Sequence, residues 1–206
     1  MTVDSTNQLG QKTLVRGARG ADVTQLQERL KEAGVYRKDK PSGLFDVATA
    51  RAVSLYQRRH DLGADGVVGP RTLSSLVGRI VINVGQYKLR LIRDGKVVLT
   101  FPVAVGQTAY PTPLGKWRIV MMEKNPTWLP PDSPWAKGLG PIPPGPGNPL
   151  GTRWIGTSAP AVGIHGTPAD YTIGTRASHG CVRMHIPDVE RLYDQVTVGM
   201  EVDIDA

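Results

Sequence analysis

Two histidines and a single cysteine in the C-terminal half have the residue types that nucleophilic catalysis requires. Cys181 is the only cysteine among 206 residues; it follows Ser178, His179 and Gly180, and His165 lies sixteen positions before it. Cysteine catalysis needs a thiolate, a base that generates or stabilises it, and amides that hold an oxyanion. His165 or His179 could be the base. The pattern therefore indicates a candidate nucleophile.

The residues next to Cys181 could complete such a site. Gly180 lets the backbone come close to a substrate, and we expect its N–H to be free, so that the amides of Gly180 and Cys181 converge on one oxygen. Arg183, two positions further on, adds a fixed positive charge that could hold a carboxylate.

Spacing alone leaves two other interpretations of Cys181 open. A lone cysteine is often a small buried apolar residue. His165, His179, Cys181 and His185 also carry metal-ligand atoms, although their spacing does not match the usual short-loop zinc patterns. We expect no metal and no cofactor, and we interpret His60 and His185 as ordinary surface residues.

Composition predicts a soluble globular chain, because 40% of its residues are hydrophobic and 21% are charged. No run approaches the ~18 apolar residues of a membrane span, so we expect no transmembrane segment. The net charge of +7 is spread along the chain, with 12 basic and 8 acidic residues through Gly78. A spread charge favours weak attraction to an anionic polymer over a nucleic-acid groove, and we expect no nucleic-acid partner.

Residues 13–78 have the periodicity of a small helical unit. Asp22 and Gln25 are spaced as a capping box for a first helix, a second helix is predicted from Asp46, and a third from Pro70. We expect one face of the second helix to be apolar, with Val47, Ala50, Val53 and Tyr56. Two similar stretches, GLFDVAT from Gly43 and GVVGPRT from Gly66, predict a repeated loop-then-helix motif.

Residues 79–206 predict a β-rich sandwich or open barrel, because period-two alternation in YKLRLIR precedes Asp94-Gly95 and a second strand, KVVLTFPVAV. KWRIVMM, TRWIG, VGIHG and MEVDI predict further strands, and IPDVERLYDQV predicts a helix. The fold class is therefore multi-domain α and β: a small three-helix domain over 13–78, then a β-rich, sandwich-like domain over 79–206. Residues 125–151, with nine prolines, predict a long irregular loop, either a lid or a static wall.

Residues 13–78 resemble the peptidoglycan-binding module that accompanies many bacterial cell-wall enzymes. The matching motifs are Gly17 and Gly20, V-x-x-L-Q-x-x-L from Val23, G-x-F-D from Gly43, T-x-x-A-V-x-x-Y-Q from Thr49 and D-G-V-V-G-x-x-T from Asp65. Most of these positions are typical of cores and turns, so the resemblance names no wall-contacting residue.

Residues 79–206 resemble the catalytic domain of L,D-transpeptidases, the YkuD type. The match lies in IHGTPADYTIGTRASHGCVRM, with His165-Gly166 followed by Ser-His-Gly-Cys, an apolar residue and Arg183 where some members have Asn. VAVGQTAYPTPLGKWRI and GPGNPLG also look like the family's substrate-groove segments.

The resemblance implies a role for each matching residue. Cys181 would be the acylated nucleophile, and His165 the general base, oriented by the carbonyl of Gly166. The oxyanion side would be built by His179, Gly180 and Cys181. The residues implied for substrate binding are Ser178, Arg183 and Tyr171.

The implied function is a cysteine L,D-transpeptidase that forms 3→3 crosslinks between peptidoglycan stem peptides and releases D-alanine. The expected partners are stem peptides and glycan, with carbapenem-type β-lactams as inhibitors. L,D-carboxypeptidase activity, a catalytically inactive wall-binding protein and a zinc-dependent peptidase remain as alternatives. We expect an extracytoplasmic location, with the export signal absent from this sequence.

Overall fold

The computed structural model describes Leu9 and residues 12–206, which form two compact units. One unit comprises Leu9 and residues 12–78 together with Thr197–Gly199. The other is Arg79–Val196 together with Met200–Ala206. Each has its own apolar core, so each can be described by itself. Within the described residues, no helix has the length and apolar character needed to cross a membrane.

The first unit contains the three predicted helices: α1 (Ala21–Glu32), α2 (Val47–Arg59) and α3 (Pro70–Val77). Two of the predicted starts are confirmed, because Asp46 Oδ1 accepts a hydrogen bond from the Thr49 amide at 2.9 Å and Pro70 is the first residue of α3. The core of the unit is formed by apolar side chains from the helices and loops: Leu14, Val23, Leu26, Leu30, Phe45, Val53, Tyr56 and Leu76.

Two predictions for this unit are wrong. The cap of α1 is Gly20, not Asp22, because the Gly20 amide bonds to the Gly43 carbonyl at 3.0 Å and the helix starts at the next residue. Asp22 therefore lies inside the first turn, where it is buried and paired with Lys12. Val47 is 41% exposed, because the buried face of α2 is rotated away from it: that face is Thr49, Ala52, Val53, Tyr56 and Gln57.

The repeated loop-then-helix motif is held together by two buried glutamine amides. Each Nε2 donates to the carbonyl after the loop glycine and to the threonine six positions after that glycine, and each Oε1 accepts from the glycine amide. The partners are Gly43, Leu44 and Thr49 for Gln27, and Gly66, Val67 and Thr72 for Gln57, at 2.8–3.0 Å. A buried amide leaves few polar atoms unpaired in this way, which explains why both copies keep the same residue types.

The second unit is built on an eight-stranded mixed sheet and confirms the predicted β-rich class. Its strands are β1 (Arg79–Asn83), β2 (Lys88–Arg93), β3 (Lys96–Pro102), β5 (Gly115–Lys124), β6 (Arg153–Thr157), β7 (Gly163–Gly166), β9 (Val182–Met184) and β10 (Glu201–Asp205), in the order β3-β2-β1-β10-β5-β6-β7-β9. The short strands β4 (Val105–Gly106) and β8 (Arg176–Ser178) pair separately. The fourth helix, α4 (Ile186–Tyr193), packs against β6 and β7.

Three strands of this unit had no counterpart in the sequence prediction. Ile80 and Ile82 of β1 are buried in alternation, which is a period-two signal that could have been found. The strands β8 and β9 have three residues each, too few for a periodicity to be recognised. They matter because they flank the turn that carries Cys181, and β9 pairs in parallel with β7, which carries His165.

Candidate active site

The turn from Ser178 to Cys181 joins β8 to β9 and is closed by one hydroxyl group. Ser178 Oγ donates to the Cys181 carbonyl at 2.5 Å and accepts from the Gly180 amide at 3.1 Å. Gly180 has φ +114°, a backbone conformation that residues with a side chain rarely adopt. The prediction of a free Gly180 amide is therefore wrong in this structure.

The carbonyl of Gly180 is held from the other side by Thr112, a residue that sequence reasoning did not single out. Thr112 Oγ1 donates to it at 2.8 Å and accepts from the Gly106 amide at 2.8 Å. Gly106 allows this approach, because a Cβ there would lie 2.3 Å from the Tyr110 carbonyl oxygen. The only available signal was that Thr112 lies within the groove-like segment VAVGQTAYPTPLGKWRI.

Cys181 is partly exposed and its thiol lies beside the loop before β7. Sγ is 3.7 Å from the carbonyl oxygen of Ala161. Burial raises the pKa of the Cys181 thiol above its ordinary value, while a hydrogen bond from the Gly163 backbone and the charge of Arg183 oppose that rise. The raised pKa favours the thiol over the thiolate, so a base is needed to remove the proton when the sulfur attacks.

His165 is buried on β7, and its hydrogen bond defines its tautomer. Nδ1 lies 2.6 Å from the carbonyl oxygen of Gly166. Because a carbonyl can only accept, Nδ1 carries the hydrogen and Nε2 keeps its lone pair. Burial lowers the pKa of His165 to about 4; the Gly166 carbonyl opposes this and the charge of Arg183, its register partner on β9, adds to it. The ring is neutral at physiological pH and can accept a proton.

The ring of His179 contacts two aromatic rings. Its ring stacks on Trp135 with centroids 4.1 Å apart, and the Tyr110 ring is 4.9 Å away. Burial and the nearby Arg183 both lower the pKa of His179. Through Trp135, the proline-rich segment 125–151 is part of the site.

The segment 125–151 is closed on itself by hydrogen bonds. Trp128 and Ile142 exchange two backbone hydrogen bonds of 2.9 Å, and the buried Asn148 amide donates to the carbonyls of Pro126, Ile142 and Pro143. Trp128 also lies 6.4 Å from Trp135, centroid to centroid.

A cavity of about 690 Å³ joins these residues. Its charged members are Arg183, Glu123 and Asp132, and Trp154 stacks on His165 at 5.8 Å. The remaining lining is largely apolar and aromatic, and Cys181, His165, His179 and Ser178 all contribute to it. The cavity therefore presents charges of both signs on a largely apolar and aromatic surface.

The other predicted site residues lie outside this lining. Gly166 and Gly180 act through their backbone, as described above. Tyr171 is 88% exposed on the 3-10 turn Asp170–Thr172 and does not line the cavity, although it interacts electrostatically with Arg183. His185 bonds to Asp170 at 2.8 Å. Among the described residues, no three His, Cys, Asp or Glu side chains cluster as metal ligands would.

Comparison with protein families identifies the class of protein to which this fold belongs. The family model of the L,D-transpeptidase catalytic domain (YkuD) matches residues 78–204, and the family model of a "Putative peptidoglycan binding domain" matches residues 19–76. The first match spans more than half of the chain, so the chain belongs to the L,D-transpeptidase catalytic domain family.

Individual relatives carry the same name. The chain is 33% identical over 138 residues to the "Putative L,D-transpeptidase YkuD" of Bacillus licheniformis, covering 67% of this chain and 72% of the relative. The solved L,D-transpeptidase of Mycobacterium smegmatis has a TM-score of 0.52 at 20% identity, covering 62% of this chain and 58% of that one. L,D-transpeptidase 3 of Mycobacterium tuberculosis, in complex with a faropenem-derived adduct, has a TM-score of 0.51 at 20% identity, with coverages of 62% and 60%. At such identities the structural likeness shows the fold, and this chain spans less than two thirds of either solved chain.

Proposed function

We propose that the chain is a cysteine L,D-transpeptidase that forms 3→3 crosslinks between peptidoglycan stem peptides through a thioester on Cys181. The observation that carries this proposal is the pairing of a partly exposed thiol with a buried, neutral His165 on the same cavity. In such a pair the thiol can be acylated without a permanent thiolate–imidazolium ion pair.

In the first step, Nε2 of His165 takes the thiol proton as Sγ attacks the carbonyl carbon of the third stem residue. The tetrahedral intermediate then collapses, and the proton passes from His165 to the departing amine of D-alanine. The products are D-alanine and an acyl-enzyme. The Gly166 carbonyl supports this cycle, because it holds Nδ1–H and leaves Nε2 free for the proton at each stage.

In the second step, the amine of a neighbouring stem attacks the thioester, His165 accepts the amine proton, and the proton returns to the sulfur as it leaves. Water in place of the amine would give L,D-carboxypeptidase activity from the same intermediate. Arg183 is suited to hold a substrate carboxylate, and Glu123 or Asp132 to hold a cationic amine, because both signs of charge line the cavity.

The oxyanion side is assigned to the turn His179–Cys181. Because the Gly180 amide donates to Ser178 Oγ, it contributes only if that bond is exchanged for one to the oxyanion. Otherwise the Cys181 amide is the donor that this turn provides. Tyr171 is exposed outside the cavity lining, so its role in substrate binding is limited to contacts at the edge of the cavity near Arg183.

The remaining parts of the proposal concern the setting of the enzyme. The boundary between a wall-binding domain and a catalytic domain lies at Gly78, and the enzyme works outside the cytoplasmic membrane, where peptidoglycan lies. Carbapenem-type β-lactams are the expected inhibitors and would acylate Cys181. The M. tuberculosis relative in complex with an adduct derived from faropenem, a β-lactam of the related penem class, supports β-lactam binding in general.

Mass spectrometry of the products from a disaccharide-tetrapeptide tests the function. A transpeptidase gives a dimer that has lost one D-alanine, and a carboxypeptidase gives a disaccharide-tripeptide. If the substrate stays intact while the protein still binds isolated peptidoglycan, the chain is an inactive wall-binding protein and the proposal fails.

A further inference from the structure

A second groove, of about 320 Å³, lies within the helical unit and has no part in the chemistry of Cys181. One wall is the outward face of α2, and the other is formed by the loop before α3 and by the chain before α1. Its lining is Arg16, Val47, Ala50, Arg51, Ser54, Arg58, Asp65 and Gly66. We call it the arginine groove.

Three small residues of the arginine groove lie where α2 and the loop before α3 approach each other closely. Ala50 and Ser54 lie one helical turn apart on α2, and Gly66 lies directly against them. A Cβ on Gly66 would be 3.0 Å from Ser54 Oγ and 3.3 Å from the Ala50 carbonyl oxygen, and its φ is +73°. The Gly66 amide is also fixed by Gln57 Oε1 at 2.9 Å. This part of the groove is therefore held in place by the packing and hydrogen bonds of the unit itself.

The charges on its rim are unbalanced. Arg16, Arg51 and Arg58 are exposed. Within the described part of the chain, no ion pair or side-chain hydrogen bond engages them. The one carboxylate of the groove, on Asp65, is already held by Gln57 Nε2 at 2.8 Å and by the Val67 amide at 2.9 Å. Both bonds go to Oδ1, and Asp65 is itself exposed. The groove therefore carries three guanidinium groups and one carboxylate, an excess of two positive charges.

This combination selects for one kind of ligand. Guanidinium groups bind carboxylates with two parallel hydrogen bonds and lose little entropy in doing so. The close approach of Gly66 to α2 and the 41% exposed Val47 suit a thin chain with short apolar side chains. Peptidoglycan stem peptides match this description, because they carry free carboxylates for the guanidinium groups and alanine methyl groups as short apolar side chains.

We propose that the arginine groove is the site where the helical unit binds peptidoglycan, through the carboxylates of the stem peptides. This inference rests on the proposed function only in taking peptidoglycan as the polymer that the protein meets. It assigns residues to wall binding that neither the family match nor the sequence motifs assign.

The test is sedimentation of the full chain with peptidoglycan sacculi from which teichoic acids have been removed. The variant is Arg51→Ala/Arg58→Ala. Its charge-matched control is Arg59→Ala/Arg71→Ala, which removes two exposed arginines of α2 and α3 that do not line the groove. We expect the groove variant to lose at least tenfold in affinity and the control less than threefold. Amidation of the sacculus carboxylates should weaken wild-type binding by the same factor as the groove variant.

Three results would overturn the inference. Equal losses in the two variants would mean that total charge, not the groove, sets binding. Wild-type binding that survives amidation would exclude carboxylates, and a loss seen only with sacculi that retain teichoic acid would identify phosphate as the ligand. Circular dichroism at 222 nm checks that each variant keeps its helices. Turnover of soluble disaccharide-tetrapeptide is measured in parallel, so that a failure of the proposed enzyme function is seen separately from a failure of the groove.

Discussion

Burial of His165 should make the stability of the β-rich unit depend on pH. Its pKa is about 4 in the folded protein against 6.5 as the ordinary value. Between these values the unfolded chain binds a proton that the folded chain does not, so stability falls as pH falls from about 6.5 to about 4. The difference corresponds to roughly 3 kcal/mol, at 1.36 kcal/mol for each pKa unit.

The assay uses the positions of the tryptophans. All four, Trp117, Trp128, Trp135 and Trp154, lie in the β-rich unit, so tryptophan fluorescence during urea unfolding follows that unit. The free energy of unfolding is measured at several pH values between 7 and 4 for the wild type and for His165→Gln, which cannot titrate. The titration of His165 should make the wild type lose up to ~3 kcal/mol more than this variant over the interval.

His179→Gln is the matched control. Burial lowers the pKa of His179 too, but this residue is far less enclosed than His165. Its removal should therefore change the pH dependence much less. Parallel curves for wild type and His165→Gln would refute the reasoning, since His165 would then titrate alike in the folded and unfolded states.

Three further predictions follow from contacts around the turn. Thr112→Val leaves the Gly180 carbonyl and the Gly106 amide without their buried partner. It should cost about 1–3 kcal/mol of stability for each unsatisfied group and slow acylation in stopped-flow measurements. Thr108→Val, at an exposed position of the same loop, should change neither the stability nor the acylation rate. Arg183→Gln removes a charge that lowers the pKa of His165, so the acid limb of the acylation rate should move to higher pH; an unmoved limb would show that the charge of Arg183 does not contribute to this pKa. Deleting residues 138–147 removes Ile142 and its bonds to Trp128. If the segment 125–151 is a lid, the acylation rate and the rate of thioester release should change by different factors. Wild-type rates with an unchanged ratio of crosslink to hydrolysis would exclude a lid.

Short motifs carried most of what the sequence could predict. His165-Gly166 and Ser178 to Cys181 are local strings, and the hydrogen bonds from His165 to Gly166 and within the turn involve residues no more than three positions apart. The helix starts at Asp46 and Pro70 could be predicted for the same reason, since a helix start depends on its immediate neighbours.

The features that were missed depend on partners far away in the chain. Thr112 reaches Gly180 across 68 positions, and Trp135 meets His179 only after the chain has folded. No periodicity encodes such contacts. The misplaced cap of α1 has a similar cause, because the backbone bond between Gly20 and Gly43 moves the helix start ahead of the residue with the better capping side chain.

The most direct test of the account is the mass of the intact protein during turnover of disaccharide-tetrapeptide. We predict a transient adduct equal to the donor without D-alanine, mapped by peptide sequencing to Cys181 and absent from Cys181→Ala. An adduct on any other residue, or product formation by Cys181→Ala at even a tenth of the wild-type rate, would contradict the central claim that this thiol is the nucleophile.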